Sequence, residues 1–340
     1  MTTLSIVIPF YNAEQTIGRC LTCVEAALRP GMEVILVDDG STDGSVRDAS
    51  RFPFELIRLP ARSGPAAARN RGAEKARGEY LLFLDSDVLV RPDTFEALLR
   101  SYSENPQIVG VSAIYSDRAV APGLFQEFKA LEETYKYSAY RADRYSAFDT
   151  ACGSVRRDVF HEVGGFNSEY SDADTEDVEL GYSIARKYRN CINPGVAVDH
   201  IYAGYPRGIR NYCRRTFFWV RLFLSRRQFD QAITTSSNAS SVLLASTAAP
   251  AMVLGFWRVE LLWLGLTLLL AFVAWNIRFF SLAAVRVRLS GAYKLIPFLF
   301  YLYTLQLAVG VGAAAGLLYW PIRSLAGRAV GRAGTRSRLG

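Results

Sequence analysis

The run EYLLFLDSDVLVRPD, residues 79–93, decides how the chain is to be read. YLLFLD (80–85) is short and apolar, the pattern of a buried strand. Two carboxylates, Asp85 and Asp87, then follow with only Ser86 between them. Alternate side chains share a face in extended chain, so both can point the same way where the strand leaves its sheet. Two like charges that close repel, and one would tend to hold its proton unless a cation stood between them. A divalent cation with oxygen ligands, Mg²⁺ or Mn²⁺, removes that penalty.

Working outward, LSIVIP (4–9) reads as another buried strand, and Asn12 with Gln15 three residues on has the form of a helix-capping box. MEVILVDDGSTDGS (32–45) repeats strand, acidic turn and helix. FELIRL (54–59) and GPAAARNRGAEKARG (64–78) lead from a third strand through a helix into YLLFLD. This alternation implies an α/β fold, a mostly parallel sheet with flanking helices. Ligands bind such sheets outside the carboxyl ends of the strands. Tyr11, Asn12, Asp38, Asp39, Asp85 and Asp87 all fall there. Asp38 and Asp39 also suit plain turn roles ahead of GSTDG, and that alternative stays open. No GxGxxG follows the first strand, so the usual dinucleotide cradle is missing.

The 340 residues carry a net charge of +7, and half are hydrophobic. That average hides a division. Residues 1 to about 230 read as α/β protein with charges spread throughout. Beyond them, LLWLGLTLLLAFVAW (261–275) and LIPFLFYLYTLQLAVGVGAAAGLLYW (295–320) carry no charge. The second is long enough to span a bilayer. The first becomes so by borrowing flanking residues such as Ile277 and Phe279, and VLLASTAAPAMVLGFW (242–257) is a weaker candidate. Two or three spans are expected over 240–322, followed by a basic tail, 323–340. Arginines and lysines on both sides of the last span leave the side of the tail open. No basic stretch precedes LSIVIPF, so the α/β part is expected in the cytoplasm, with the chain multi-pass in the cell inner membrane. Five scattered cysteines fit a reducing compartment; Cys20 and Cys23 lie in a helical pattern and read as buried helix residues.

Between these parts, YPRGIRNYCRRTFFWVRLFLSRRQF (205–229) places Arg207, Arg210, Arg214 and Arg221 at helical spacing among aromatics. A basic amphipathic helix over 205–235, lying at an anionic membrane interface, is the expectation. The adjoining apolar segments make a bilayer a nearer partner than nucleic acid.

IVIPFYNAEQTI, ILVDDGSTDGS, GPAAARNRGAEKARGEYLLFLDSDV, ACGSVRRDVFHEVGGFNSEY and TEDVELGYSIARK, in this order and spacing, resemble family 2 glycosyltransferases of the GT-A (Rossmann-like) fold. The resemblance covers residues 4–204. It implies a GT-A domain over 1–204, with a nucleotide-sugar half (1–94) and an acceptor half (95–204). Under it Pro9, Tyr11 and Asn12 line a base pocket, Asp39 accepts a base N–H, and Glu14 and Asp38 complete the nucleotide side. Arg69 and Asn70 orient the donor side, and a plain surface residue is the alternative for Arg69. DSD looks like the motif that holds the donor, with Asp87 on a metal and Asp85 on the ribose or the metal's water. Asp177 matches the base position, implying inversion, with Glu176 and Gly153 on the acceptor side. His200 follows NPGVAVD, where relatives place a histidine that completes the metal shell; a packing histidine is the alternative.

The function implied is an inverting glycosyltransferase taking a nucleotide-sugar, UDP-linked by preference, to a hydroxyl of a lipid-linked or cell-envelope glycan. A polyprenyl-phosphate monosaccharide synthase is the nearest other enzyme, although its phosphate acceptor needs no base. A non-catalytic membrane scaffold or transporter on the same fold is the alternative from another class.

Overall fold

A computed structural model describes residues 2–138, 147–170, 175–227, 236–287 and 291–336. Contact density divides the chain into two units, one ending at Tyr202 and one beginning at Ala203.

In the first unit, β1 (Leu4–Phe10), β2 (Met32–Asp38), β3 (Glu55–Arg58) and β4 (Tyr80–Leu84) form one half of a sheet, and β5 (Val88–Leu89), β6 (Ile108–Tyr115), β7 (Cys152–Arg156) and β8 (Arg189–His200) the other. The strand order is β3-β2-β1-β4-β7-β6-β8-β5. Pairing is parallel from β3 to β4 and between β6 and β8; β7 runs antiparallel between β4 and β6, and β5 antiparallel to β8. The sheet is mostly parallel because apolar, β-branched runs such as SIVI and VILV are covered on both faces. Helix α1 (Ile17–Ala27) buries Ile17, Cys20, Leu21 and Val24 on one face. Helix α3 (Pro65–Lys75) lies on the other face, with Ala66, Ala68 and Ala73 buried.

Small residues let α3 approach closely. A Cβ at Gly72 would overlap Val7 Cγ1 on β1. Gly72→Ala is therefore expected to destabilise the unit by about 1–3 kcal/mol through overpacking, against the gain in helix propensity. Thermal unfolding measures the difference.

The capping box does not form. Helix α1 starts at Ile17, with Thr16 at its N-cap position, while Asn12 takes a left-handed φ of 49°. Its Oδ1 instead accepts the Thr42 backbone N–H at 2.9 Å, and its own N–H donates to Ser41 Oγ. Asn tolerates this conformation better than most residues, and here it ties two adjacent strand ends together.

The second unit is helical: α8 (Tyr205–Arg226), α9 (Ser236–Leu254), α10 (Val259–Trp275), α11 (Ile277–Val287) and α12 (Leu295–Arg336). Among the described residues, two stretches, Ser237–Leu254 and Ala292–Pro321, are long and apolar enough to cross a membrane, or three if α10 and α11 count as one broken span. The expected extension of 261–275 through Ile277 and Phe279 passes the same length and hydropathy test only as a bent pair, with a 65° break. Asn276 ends α10, its side chain donating to the Phe272 carbonyl and to Ser241. The segment judged weaker from sequence, α9, is the continuous one.

Helix α8 lies along α12. Tyr205 Oη donates to Thr304 Oγ1, Trp320 Nε1 donates to the Phe217 carbonyl, and the Arg221 guanidinium stands over the Trp320 ring. A Cβ at Gly312 would overlap the Cys213 carbonyl, so glycine sets the closeness of the two helices. The part of the expected interfacial helix from 228 to 235, and tail residues 337–340 including Arg338, lie outside the described residues.

Candidate active site

The carboxyl ends of β1, β2 and β4 bring most of the sequence candidates together. Asp38 is buried at the end of β2, its Oδ1 accepting the Ser41 N–H at 2.8 Å and Arg58 Nε lying 3.5 Å from its Oδ2. Asp39, also buried, accepts the N–H groups of Ser63 (2.7 Å) and Gly64 (2.9 Å), one on each oxygen. Asp39 thus fixes the turn into α3, where Gly64 has a φ of 90°. Each carboxylate oxygen keeps a second lone pair for a ligand N–H. Tyr11 is exposed, with the Arg62 guanidinium 4.4 Å over its ring.

Other candidates stand apart from this edge. Pro9 is buried inside β1, paired with Val37. Glu14 forms an exposed ion pair with Arg47 at 2.9 Å. Gly153 is buried within β7, where any Cβ would overlap the Asp149 carbonyl oxygen. Packing accounts for that glycine. Asn70 binds the 166–168 segment, donating to the Phe166 carbonyl and Ser168 Oγ and accepting the Phe166 N–H.

The centre of the site is Arg69. It projects from α3 with 3% exposure, donating through Nη2 to Asp85 Oδ1 and through Nη1 to Glu176 Oε1, both at 2.8 Å. Burial alone would lower its pKa, but the Asp85 and Glu176 carboxylates outweigh that and raise it above the ordinary arginine value. The paired aspartates at the end of β4 therefore find separate partners. Asp85 is compensated by a protein cation, and Asp87 stands 3.4 Å from His200 Nε2.

Helix α7 (Glu176–Ala185) places Glu176, Asp177 and Glu179 in its first turn, where the helix dipole favours anions. Glu176 turns inward to Arg69 and is 3% exposed. Asp177 is half-buried, its Oδ1 accepting the Val178 N–H at 2.8 Å. It lies close enough to Arg69 to raise the arginine's pKa further. One buried guanidinium thus joins the strand-end carboxylate, the inner acid of α7 and the field of its outer neighbour.

His200, at the end of β8, is held by ring packing. Tyr202 stacks on it at 4.6 Å and Tyr115 meets it edge-on at 5.1 Å. Its buried Nδ1 has no hydrogen-bond partner among the described residues.

Asp149 was missed from sequence. It precedes β7 in an ordinary-looking FDTACG, yet its Oδ2 accepts the Tyr137 hydroxyl at 2.7 Å and its Oδ1 the Ala151 N–H. Burial pushes its pKa up, and the Asp85 and Glu133 carboxylates add to that against the opposing hydrogen bonds. Tyr137 lies on α5 (Leu124–Ser138), outside every motif quoted from the sequence. No signal short of the fold connects the two.

A mixed sheet with flanking helices, paired aspartates at a strand end and an acidic helix start has the GT-A-like fold. Residues 5–164 match the model of glycosyl transferase family 2. An uncharacterized glycosyltransferase of Haemophilus influenzae is 40% identical over 111 residues, 31% of this chain and 44% of that protein. A poly(ribitol-phosphate) beta-glucosyltransferase of Bacillus spizizenii is 36% identical over 137 residues, 36% of this chain and 21% of that protein. The chain thus matches under half the length of either relative. Among solved structures, the mannosyltransferase PcManGT from Pyrobaculum calidifontis in complex with GDP-Man and Mn²⁺ is similar with a TM-score of 0.57 at 20% identity, over 94% of this chain and 87% of that one. That likeness shows the fold.

Proposed function

We propose that the chain is an inverting glycosyltransferase that moves a sugar from a nucleotide-sugar, UDP-linked by preference, to an acceptor hydroxyl. The observation that carries this reading is the buried Arg69 bridge, which locks Asp85 on the donor side to the helix that presents Asp177. Tyr11 offers a ring face to a nucleobase, and Asp38 and Asp39 stand at the adjoining strand end. Asp177 accepts the proton of the acceptor hydroxyl as that oxygen attacks the anomeric carbon. The bond from that carbon to the diphosphate breaks on the opposite side, and the nucleotide diphosphate leaves with the electron pair. A single displacement inverts the anomeric centre.

Asp87 and His200 fit a divalent cation, as one carboxylate and one imidazole side by side. No group of three or more metal-ligating side chains occurs among the described residues. Two protein ligands suit Mg²⁺ or Mn²⁺, which keeps water and phosphate oxygens in its other positions. When bound, such an ion would neutralise charge on the departing diphosphate. Asp85, already paired with Arg69, holds the strand end in place beside it.

We further place the chain in a membrane through α9 and α12, with the glycosyltransferase domain, 1–204, on the cytoplasmic side. That placement supports an acceptor that is lipid-linked or part of the cell envelope, as does the likeness to a poly(ribitol-phosphate) beta-glucosyltransferase.

A thermal-shift screen of UDP-, GDP- and dTDP-sugars with Mn²⁺, Mg²⁺ or EDTA tests the donor assignment. A ligand at 100 times its Kd adds about 2.7 kcal/mol to the folded state. A UDP-sugar is expected to raise the melting temperature with metal and to lose that effect in Asp87→Asn. If no nucleotide-sugar shifts melting under any condition, the donor reading fails.

A further inference from the structure

A cluster of arginines lies on the other face of the β8 end. Successive residues of a strand point to opposite faces. His200 faces Asp87, while Asp199, paired with Leu89 across the β5–β8 ladder, faces a cavity of about 540 Å³. That volume is in the range of small-molecule sites, roughly 300–1,000 Å³.

Three guanidinium groups line it: Arg19 from α1, Arg91 just after β5, and Arg118 just after β6. Two carboxylates oppose them, Asp93 at the rim and Asp199 on the floor. Asp199 is buried and bound by the Ser116 hydroxyl. Arg91 Nη2 and Arg118 Nη1 stand 3.7 and 3.8 Å from its two oxygens, beyond hydrogen-bond length. Neither guanidinium makes a hydrogen bond within the described residues, and Arg19 makes one long contact to the Val120 carbonyl, 3.4 Å. Three forks with most of their donors uncommitted surround a single floor carboxylate. The remaining wall is apolar, from Leu89, Val90 and Val120.

We propose that this cavity binds a phosphate-bearing organic anion, its phosphate or diphosphate oxygens on Arg91, Arg118 and Arg19 and its less polar part against the apolar wall. Planar guanidinium forks match phosphate oxygens in pairs. The site is separate from the donor edge, because β8 itself stands between Asp199 and His200. It does not depend on the glycosyl-transfer reading.

A soluble phosphate ester and a lipid phosphate headgroup offer the same chemistry, and the test separates them. The full chain in detergent with EDTA is titrated with inorganic pyrophosphate by calorimetry. Saturable binding is expected, unchanged in Asp87→Asn and weakened about tenfold for each guanidinium removed in Arg91→Ala/Arg118→Ala. Arg91→Lys/Arg118→Lys keeps the charge without the fork and should fall between. Circular dichroism establishes that each variant is folded. Displacement of pyrophosphate by dihexanoyl phosphatidic acid below the concentration needed of glycerol phosphate assigns a lipid headgroup; the reverse order assigns a soluble ester. Absence of saturable binding, or full affinity in the folded double alanine variant, overturns the proposal.

Discussion

Asp177→Asn is expected to lower turnover by about 10²–10⁴-fold, the usual contribution of a positioned general base, while nucleotide-sugar affinity stays at the wild-type level. Asparagine keeps the shape and can still accept the Val178 N–H at the start of α7. It cannot take a proton. Three acids share this helix turn, so a role limited to the helix dipole would be common to all of them. Glu179→Gln is therefore the control, and it should keep turnover close to wild type. The pH profile gives a second readout. A base that must be ionised produces a fall in kcat/KM on the acid side, and that limb should disappear in the residual activity of Asp177→Asn. Unchanged turnover in Asp177→Asn, or an equal loss in Glu179→Gln, removes Asp177 from the base role.

The strands and the placement of their acidic ends were legible in sequence, for a simple reason. Runs such as VILV and YLLFL are too apolar to sit anywhere but inside a covered sheet, and the polar residues that end them must then fall at its edge. What was not legible depended on partners distant in sequence. Asn12 looks like a helix cap until Thr42, 30 positions away, claims its side chain. Asp85 and Asp87 looked like a repelling pair, because nothing in DSD shows that Arg69 neutralises the first. Asp149 carried no signal at all, since its environment is made by Tyr137 of α5, outside every quoted motif. The broken α10–α11 pair fails differently: hydropathy averages over a bend, and Asn276 alone does not announce 65°.

Arg69→Met is expected to destabilise the α/β unit by about 3–5 kcal/mol, the cost of leaving a buried charge without its partner. The group most affected is Glu176, which is 3% exposed and loses its 2.8 Å bond to Arg69. Asp85, a third exposed at its side chain, can recover water and contributes less to the loss. The two effects separate in a cycle. Glu176→Gln in the Arg69→Met background removes the buried charge without changing volume, and most of the lost stability should return. Activity should not return with it, because the link between the end of β4 and the start of α7 is still broken and Asp177 is no longer held against the donor side. Thermal unfolding and turnover, measured on the wild type and on both variants, read the two consequences independently. Arg69→Lys sharpens the point, since one ammonium keeps the charge but cannot reproduce a planar fork that reaches two carboxylates at once. It should preserve more stability than Arg69→Met and still lose turnover. If the double variant unfolds no later than Arg69→Met, the buried Glu176 charge is not what the arginine stabilises. If the double variant turns over like wild type, the bridge is structural alone, and the coupling of donor edge to catalytic helix must lie elsewhere.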